Sequence, residues 1–292
     1  MKIAILGASG MLGSTTFQYL AHRFPGSVYA SVRSSSARRS FPDDLAANIA
    51  VGIDVENADA LAGFLRDVRP DVVLNCVGVV KQLASAEDPL VAIPINAILP
   101  HRLARLADLV GARLIHVSTD CVFTGRKGDY RESDAPDAED LYGRSKLLGE
   151  VDYPNAVTLR TSIIGREIGS RNGLVEWFLA QSGSVRGYRR AIFSGLTTDE
   201  LVRVIADHVL PNPGLRGVYH VSVDPISKFD LLGIVKDVYG VATEIEPDDA
   251  VAIDRSLNSE RFRAATGYAP PSWPDLIRTM RRFHDEAFSR IR

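Results

Sequence analysis

Apolar positions along this chain fall into two patterns, short unbroken runs and longer stretches at helical spacing. Lys2–Leu6, Ser27–Val32, Asp71–Cys76, Leu114–Val117 and Ala156–Arg160 are runs of the first kind. They read as strands buried on both faces, because a strand with one wet face would alternate apolar and polar residues. Between them, 14–24, 58–68 and 101–109 repeat apolar residues every three or four positions, as amphipathic helices do, and Asn57 stands where an N-cap belongs. Buried strands alternating with helices predict an α/β fold with a doubly wound parallel sheet. Past residue 165 the order loosens. Phe193–Thr198 leads into a helix through Leu210, capped by Thr197 or Thr198, and Gly217–Val223 reads as a strand. Ser227 caps a helix through Tyr239, and Trp273–Ile291 is helical in spacing. These segments predict a nucleotide-binding domain over 1–165, with 193–212 returning to it, and a smaller α/β substrate domain made mainly of 166–292.

Composition narrows the partners. With 34 basic against 36 acidic residues and a pI near 6.3, no global field favours nucleic acid or an anionic membrane. No apolar run approaches the roughly 18 residues of a membrane span, and Met1-Lys2 runs straight into a strand pattern without a leader. Two cysteines, Cys76 and Cys121, give no disulfide framework, so a reducing cytoplasmic compartment is expected. The six histidines show no metal-ligand spacing, and no protein-built metal site is expected.

Candidate chemistry begins in the first turn. Gly7, Gly10 and Gly13, with Ser9, Met11 and Leu12 between them, join the first strand to the first helix. Glycines there permit a tight turn, close approach of the backbone to a pyrophosphate and packing of helix on strand, the signature of a Rossmann-like dinucleotide site. The second strand ends in Arg33-Ser34 rather than an acidic residue, with Arg38 and Arg39 close behind. A guanidinium and a hydroxyl suit a ribose 2′-phosphate, which favours NADPH over NADH. Asp54 and Val55 are expected near adenine, and Cys76, Val77 and Gly78 where a dinucleotide crosses the sheet. Lys81 follows in a loop that can meet substrate. Asn96, bracketed by Pro94 and Pro100, either holds backbone beneath the site or caps a helix. Tyr142 and Lys146 stand one helical turn apart, so a cation can pull the phenol toward its phenolate. Thr119 and Asp120 are delivered at the end of the strand before them. Thr124–Asp140, rich in charge, Gly and Pro, reads as a loop over the site, either a lid or a surface excursion. Arg166, Arg171, Asn172, Trp177 and Arg189 offer the guanidinium and aromatic groups that a nucleotide diphosphate requires, although Trp177 also fits a helical core pattern with Val175 and Leu179.

Gly7-x-x-Gly10-x-x-Gly13, Ser118-Thr119-Asp120-Cys121-Val122-Phe123, Tyr142-Gly-Arg-Ser-Lys146 and Leu159-Arg160-Thr161-Ser162, in this order, resemble the extended short-chain dehydrogenase/reductase family, and within it the dTDP-4-dehydrorhamnose reductase group. The resemblance implies a cytoplasmic, dimeric NADPH-dependent reductase of a 4-keto-6-deoxy sugar nucleotide. In it Thr119 would orient the carbonyl, Tyr142 protonate its oxygen, and Lys146 lower the tyrosine pKa and hold the nicotinamide ribose. Arg255 resembles a position facing the substrate phosphates, where a surface ion pair competes as a reading. Cys121 departs from the pattern. Related reductases commonly have tyrosine there, whereas epimerase-reductases of the GDP-fucose synthase type have cysteine, paired with a histidine where this chain has Asn172. That absence disfavours epimerisation. Dehydratases carry Asp-Glu where this chain has Asp120-Cys121, which disfavours elimination. A regulatory subunit with this fold is a further alternative.

Overall fold

The computed structural model describes residues 1–168 and 172–288; Arg171, one of the candidate substrate residues, lies outside them. Six strands, β1 (Ile3–Leu6), β2 (Val28–Val32), β3 (Ile49–Val51), β4 (Val72–Asn75), β5 (Arg113–Thr119) and β6 (Ala156–Thr161), are joined by a seventh, Gly217–His220, in one parallel sheet. The order is Gly217–His220, β6, β5, β4, β1, β2, β3. The chain therefore winds one way from β1 to β3 and the other way from β4 onward, and the direction reverses between β1 and β4. Register is continuous across that point, with Leu6 facing both Ser31 and Asn75 and Asn75 facing His116. Ligands of open α/β sheets bind outside the carboxyl ends of the strands at such a reversal.

Both faces of the sheet are covered, which explains the unbroken apolar strands. Ile3, Ile5 and Leu74 pack with Phe17 and Leu20 of the helix Met11–Arg23 on one face, and Ala4, Leu6 and Val73 with Leu61, Leu65 and Leu103 on the other. Helix Ala58–Val68 starts at Asn57, whose carbonyl oxygen accepts from the Asp59 and Ala60 amides as expected. Helix Met11–Arg23 starts three residues earlier than its apolar spacing suggested, after the N-cap Gly10, so that Met11, Leu12 and Gly13 of the glycine turn already belong to it. Thr197 sits at the N-cap of helix Thr198–Val204 but makes no side-chain cap hydrogen bond.

Two elements depart from expectation. Gly217–His220 pairs with β6 and so belongs to the main sheet rather than to a separate substrate unit. The segment Arg113–Thr119 carries the strand two residues past the apolar run, so Ser118 and Thr119 are themselves strand residues paired with Arg160 and Thr161. Outside the main sheet, Ser184–Tyr188 pairs in parallel with Glu244–Asp248, while Ala191–Phe193 lies between Ile226–Ser227 and Ile253–Asp254. Helix Thr198–Val204 returns to the first helix, where Thr15 Oγ1 donates to Thr198 Oγ1 at 3.3 Å. Among the described residues no helix is long and apolar enough to cross a membrane.

Candidate active site

The site is assembled from the carboxyl ends of β5, β4, β1 and β2, four neighbouring strands spaced by roughly 4.8 Å. At the end of β1, Gly7 adopts φ +82°, and a Cβ on it would stand 2.8 Å from Val77 Cγ2. A Cβ on Gly13 would lie 2.0 Å from the Gly7 carbonyl oxygen. Any side chain at 13 would thus push the helix off the turn. Gly10 leaves the first amides of helix Met11–Arg23 without a side-chain cap, and no acidic residue occupies its first turn. Ser9 and Gly10 are exposed, Met11 is half-buried and Leu12 is buried. The result is a positive, open helix end beside a close-packed turn, a cradle that fits a dinucleotide pyrophosphate.

Next along the sheet edge, Arg33 and Ser34 follow β2. Ser34 Oγ accepts from the Ala37 amide at 3.3 Å and caps a short helical turn. Arg33, Arg38 and Arg39 are exposed, and none makes an ion pair among the described residues. Their charge is left free. Asp54 Oδ1 accepts from the Glu56 amide, and Val55 is buried beside it. On the other side of β1, Asn75 Oδ1 accepts from the Val77 amide and shapes the Cys76–Gly78 turn. Burial beside Thr16 pushes the Cys76 thiol up to about 12, so it stays protonated.

Asn96 proves to be a structural clamp and not a helix cap. It lies fully buried in a π-helical turn, Ile93–Ile98. Its Oδ1 accepts from the Val79 amide at 2.9 Å, and its Nδ2 donates to Val79 O and to Ser145 Oγ. One side chain thereby joins the loop after β4 to the helix carrying Tyr142 and Lys146. That helix, Leu141–Leu148, is capped by Asp140, whose Oδ1 accepts from the Gly143 amide at 2.7 Å. Gly143 is required for its approach to the sheet, since a Cβ there would stand 2.3 Å from Cys121 O and 2.6 Å from Ala138 Cβ.

Lys146 points inward. Its Nζ donates to Val117 O on β5 at 2.9 Å, and burial drags its pKa down to about 8, with Glu150 opposing the fall. Tyr142 is half-buried, and burial raises its phenol pKa above the ordinary value; Cys121 adds to the rise and the Thr119 hydroxyl opposes it. Lys146 is not among the principal influences on the phenol, and its ammonium donates to the Val117 carbonyl instead. The expected lowering of the phenol by Lys146 is therefore not seen in the chain by itself. Thr119 Oγ1 donates to Asp120 Oδ1 and accepts from the Cys121 amide, both at 3.1 Å. Asp120 is buried and its pKa rises for that reason, Arg255 pulling against it.

Beyond Cys121 opens a cavity of about 870 Å³ lined by Asp140, Arg189, Arg190, Ile192 and Arg255 among others. Arg255 Nε donates to Phe123 O at 2.7 Å and faces Asp120 electrostatically. Arg189 is paired with Asp249, while Arg190 carries no ion pair among the described residues. Lys81 reaches Asp140 at 2.6 Å, which ties the loop after β4 to the cap of helix Leu141–Leu148. The remaining candidates lie apart from this cavity's lining. Arg166 is bound by Glu176 and lies over the Tyr239 ring, Asn172 is exposed, and Trp177 is 38% exposed on helix Leu174–Leu179. Trp177 is therefore not the core residue its spacing suggested; Val175 and Phe178 of the same helix are. Thr124–Asp140 is no free excursion. Thr124 bonds Asp137, the Tyr130 amide donates to Ser256 O, and Arg131 pairs with Glu260, so the loop is laced to the far part of the chain. Among the described residues no group of three or more His, Cys, Asp or Glu side chains could hold a metal ion.

Comparison with known proteins adds family membership. The model of the RmlD substrate binding domain matches residues 1–280. The chain belongs to that family. A dTDP-4-dehydrorhamnose reductase of Salmonella typhimurium is 26% identical over 252 residues, 78% of this chain and 84% of that protein. The methionine adenosyltransferase 2 subunit beta of Danio rerio is 26% identical over 255 residues, 82% and 74% of the two chains. A dTDP-4-dehydrorhamnose reductase of Bacillus anthracis, solved in complex with NADP, superposes with a TM-score of 0.77 at 23% identity over 98% of this chain and all of that one, which bears on the fold. The residues that sequence reasoning passed over are Asp140, Gly143, Glu150 and Lys228, the last acting electrostatically on Asp120. Asp140 was legible as an acidic residue immediately before a helix, and Glu150 as the position one turn beyond Lys146.

Proposed function

We propose that this chain is an NADPH-dependent reductase of the 4-keto group of a nucleotide-linked 4-keto-6-deoxy sugar, of the dTDP-4-dehydrorhamnose reductase kind. One observation carries the reading: Thr119 and the Tyr142–Lys146 helix meet at the carboxyl end of β5, two strands from a glycine cradle built for a pyrophosphate. Family membership and the name of the Salmonella relative support the substrate class. The Bacillus neighbour was solved with NADP, and Arg33 beside Ser34, without an ion pair among the described residues, supports the phosphorylated cofactor.

In this reading residues 1–165, the 193–212 segment and the strand Gly217–His220 hold the cofactor, and most of 166–292 shapes the substrate side. The amides of helix Met11–Arg23 would hold the pyrophosphate, Arg33 and Ser34 the 2′-phosphate, and Asp54 and Val55 would stand near adenine. The nicotinamide half reaches Cys76, Val77, Gly78 and Lys146. Bound NADPH supplies the hydride. The chain's own residues do the rest. Burial keeps the Tyr142 phenol protonated near neutrality, so it is a proton donor ready for the developing alkoxide, and the Thr119 hydroxyl orients the same oxygen. The Lys146 ammonium stabilises the phenolate that results. Arg255 and the unpaired Arg190 stand in the cavity where a diphosphate would lie, and Lys81, Asp120, Cys121, Asn172 and Trp177 are the further substrate candidates.

The experiment follows NADPH absorbance with dTDP-, UDP- and GDP-linked 4-keto-6-deoxy sugars, beside Tyr142→Phe. Turnover with one nucleotide, lost in the variant, is expected. NADPH binding without turnover on any of the three would sink the reductase and favour the subunit role that the Danio rerio relative's name carries.

A further inference from the structure

Behind Lys146 lies a chain of buried polar groups that proton and hydride delivery do not use. Glu150, one helical turn beyond the lysine, has a side chain only 7% exposed, and its partner Arg160 on β6 only 5%. Arg160 Nε donates to Glu150 Oε1 at 2.8 Å and Nη2 to Oε2 at 2.5 Å, a bidentate pair. Ser118 Oγ on β5 donates to the same Oε1 at 2.8 Å. Arg160 Nη1 donates to His220 Nε2 at 2.8 Å, and since a guanidinium can only donate, the histidine proton sits on Nδ1 and goes to Tyr130 O at 2.9 Å.

A buried ion pair is often no more than packing. Two features take this one further. The carboxylate grips Ser118, the residue between Val117, whose carbonyl receives the lysine, and Thr119, whose hydroxyl faces the reaction. Lys146 is 6% exposed, its ammonium donates to that one neutral acceptor among the described residues, and Glu150 is the group that favours its charged form. Among the described residues the other titratable group coupled to the ammonium is the neutral His116 imidazole on β5, whose protonation the lysine opposes. The cation of Arg160 stands behind Glu150 on β6.

We propose that Glu150 is a positioning residue of the Tyr142–Lys146 centre, its carboxylate fixing the end of β5 through Ser118 and serving as counter-charge to the Lys146 ammonium. The role deepens the reductase reading and rests on it for its use, but it is read in the chain without ligand.

The test is an NMR titration of ¹³Cε-labelled lysines, with the Lys146 signal assigned by Lys146→Arg and folding checked by thermal melting. In Glu150→Gln the midpoint is expected to fall by about one pH unit or more, and Glu150→Asp to restore most of it. In Arg160→Met the carboxylate loses its cation and the midpoint is expected to rise. Opposite movements are what a counter-charge gives, whereas loss of packing alone moves both variants the same way or neither. Midpoints that agree with wild type within a few tenths of a unit, or that shift in one direction in both, overturn the proposal. Should Glu150→Gln not fold, the direction in Arg160→Met decides. Ser118→Ala keeps every charge, so its midpoint is expected to stay while kcat falls at unchanged KM; a shifted midpoint there counts against the counter-charge. Because the titration needs no turnover, an inactive chain would refute the reductase and leave this result standing.

Discussion

Replacing Lys146 with methionine is expected to stabilise the fold while abolishing reduction. Burial holds the ammonium near pKa 8 against the ordinary 10.5 of lysine, a difference of about 2.5 units. Each unit corresponds to about 1.4 kcal/mol, so charging the buried lysine costs roughly 3 kcal/mol of folding free energy at pH 7. Methionine has a similar length and needs no hydration. It forfeits the hydrogen bond to Val117 O, worth about 1 kcal/mol. The net expectation is a gain of about 2 kcal/mol at pH 7. The pH dependence gives the sharper test. Between pH 8 and 10.5 the unfolded lysine is protonated while the folded one is not, so wild-type stability rises with pH across that window and the advantage of Lys146→Met shrinks. Urea unfolding at pH 7 and near pH 10 measures both effects. A variant less stable than wild type at pH 7, or an advantage that does not shrink in alkali, would refute the view that desolvation dominates at this site. Activity is expected to vanish in either case, the ordinary exchange of stability for function at a strained active site.

Gly143→Ala forces a Cβ to within 2.3 Å of Cys121 O, and is expected to lower stability by about 2 kcal/mol and to reduce kcat, read by melting and by turnover. Arg33→Ala is expected to raise KM for NADPH about tenfold or more with little change for NADH; equal losses for both cofactors would remove Arg33 from the 2′-phosphate. Burial and the neighbouring Arg160 hold the His220 pKa at about 3, so below the ordinary 6.5 the unfolded chain gains a proton that the folded chain refuses, and stability falls as pH drops through that window. His220→Gln is expected to flatten that fall by up to about 1.4 kcal/mol per pH unit, measured by urea unfolding from pH 6.5 to 4, and an unchanged slope would contradict it. Cys121→Ala is expected to keep turnover within a few-fold, and product made in deuterium oxide by the wild-type chain to carry no carbon-bound solvent deuterium.

The parts of the fold legible in the sequence are those whose signal is local. Short, mainly apolar runs made β1, β2, β4 and β6 legible, because burial on both faces leaves few polar positions, Ser31, Asn75, Thr158 and Arg160 among them. The glycine turn was legible because Gly7, at φ +82°, and Gly13, with its 2.0 Å approach to the Gly7 carbonyl oxygen, answer steric demands. Pairs that depend on distant chain were not. The parallel pairing of Ser184–Tyr188 with Glu244–Asp248, and the addition of Gly217–His220 to the main sheet, are set by tertiary contacts that no short window carries. The same holds for side chains. Tyr142 and Lys146 were found from a four-residue spacing, yet the destination of the lysine on Val117 O depends on β5, and the engagement of Arg166 with Glu176 depends on how a later helix packs. Short-range spacing named the candidate groups, and long-range packing decided their charge.

Cys121 shows how that division bears on the reaction. A cysteine at this position raised the epimerase-reductase alternative, in which the thiolate would remove a carbon-bound proton. The structure gives the thiol the opposite environment. It lies beside the buried Asp120, and burial together with that neighbour pushes it up to about 12, so thiolate is scarce near neutrality. The nearby cation, Arg255, opposes the rise without reversing it, and its Nε is already bonded to Phe123 O. Asn172, at the position of the expected acid partner, is exposed on a separate segment. What position 121 does supply is backbone. Its amide fixes the Thr119 hydroxyl, and its carbonyl sets the close approach of Gly143 and so the height of the helix bearing Tyr142 and Lys146. In the proposed reductase, position 121 would orient the Thr119 and Tyr142 hydroxyls through its main chain, and its thiol would need to take no part in proton transfer.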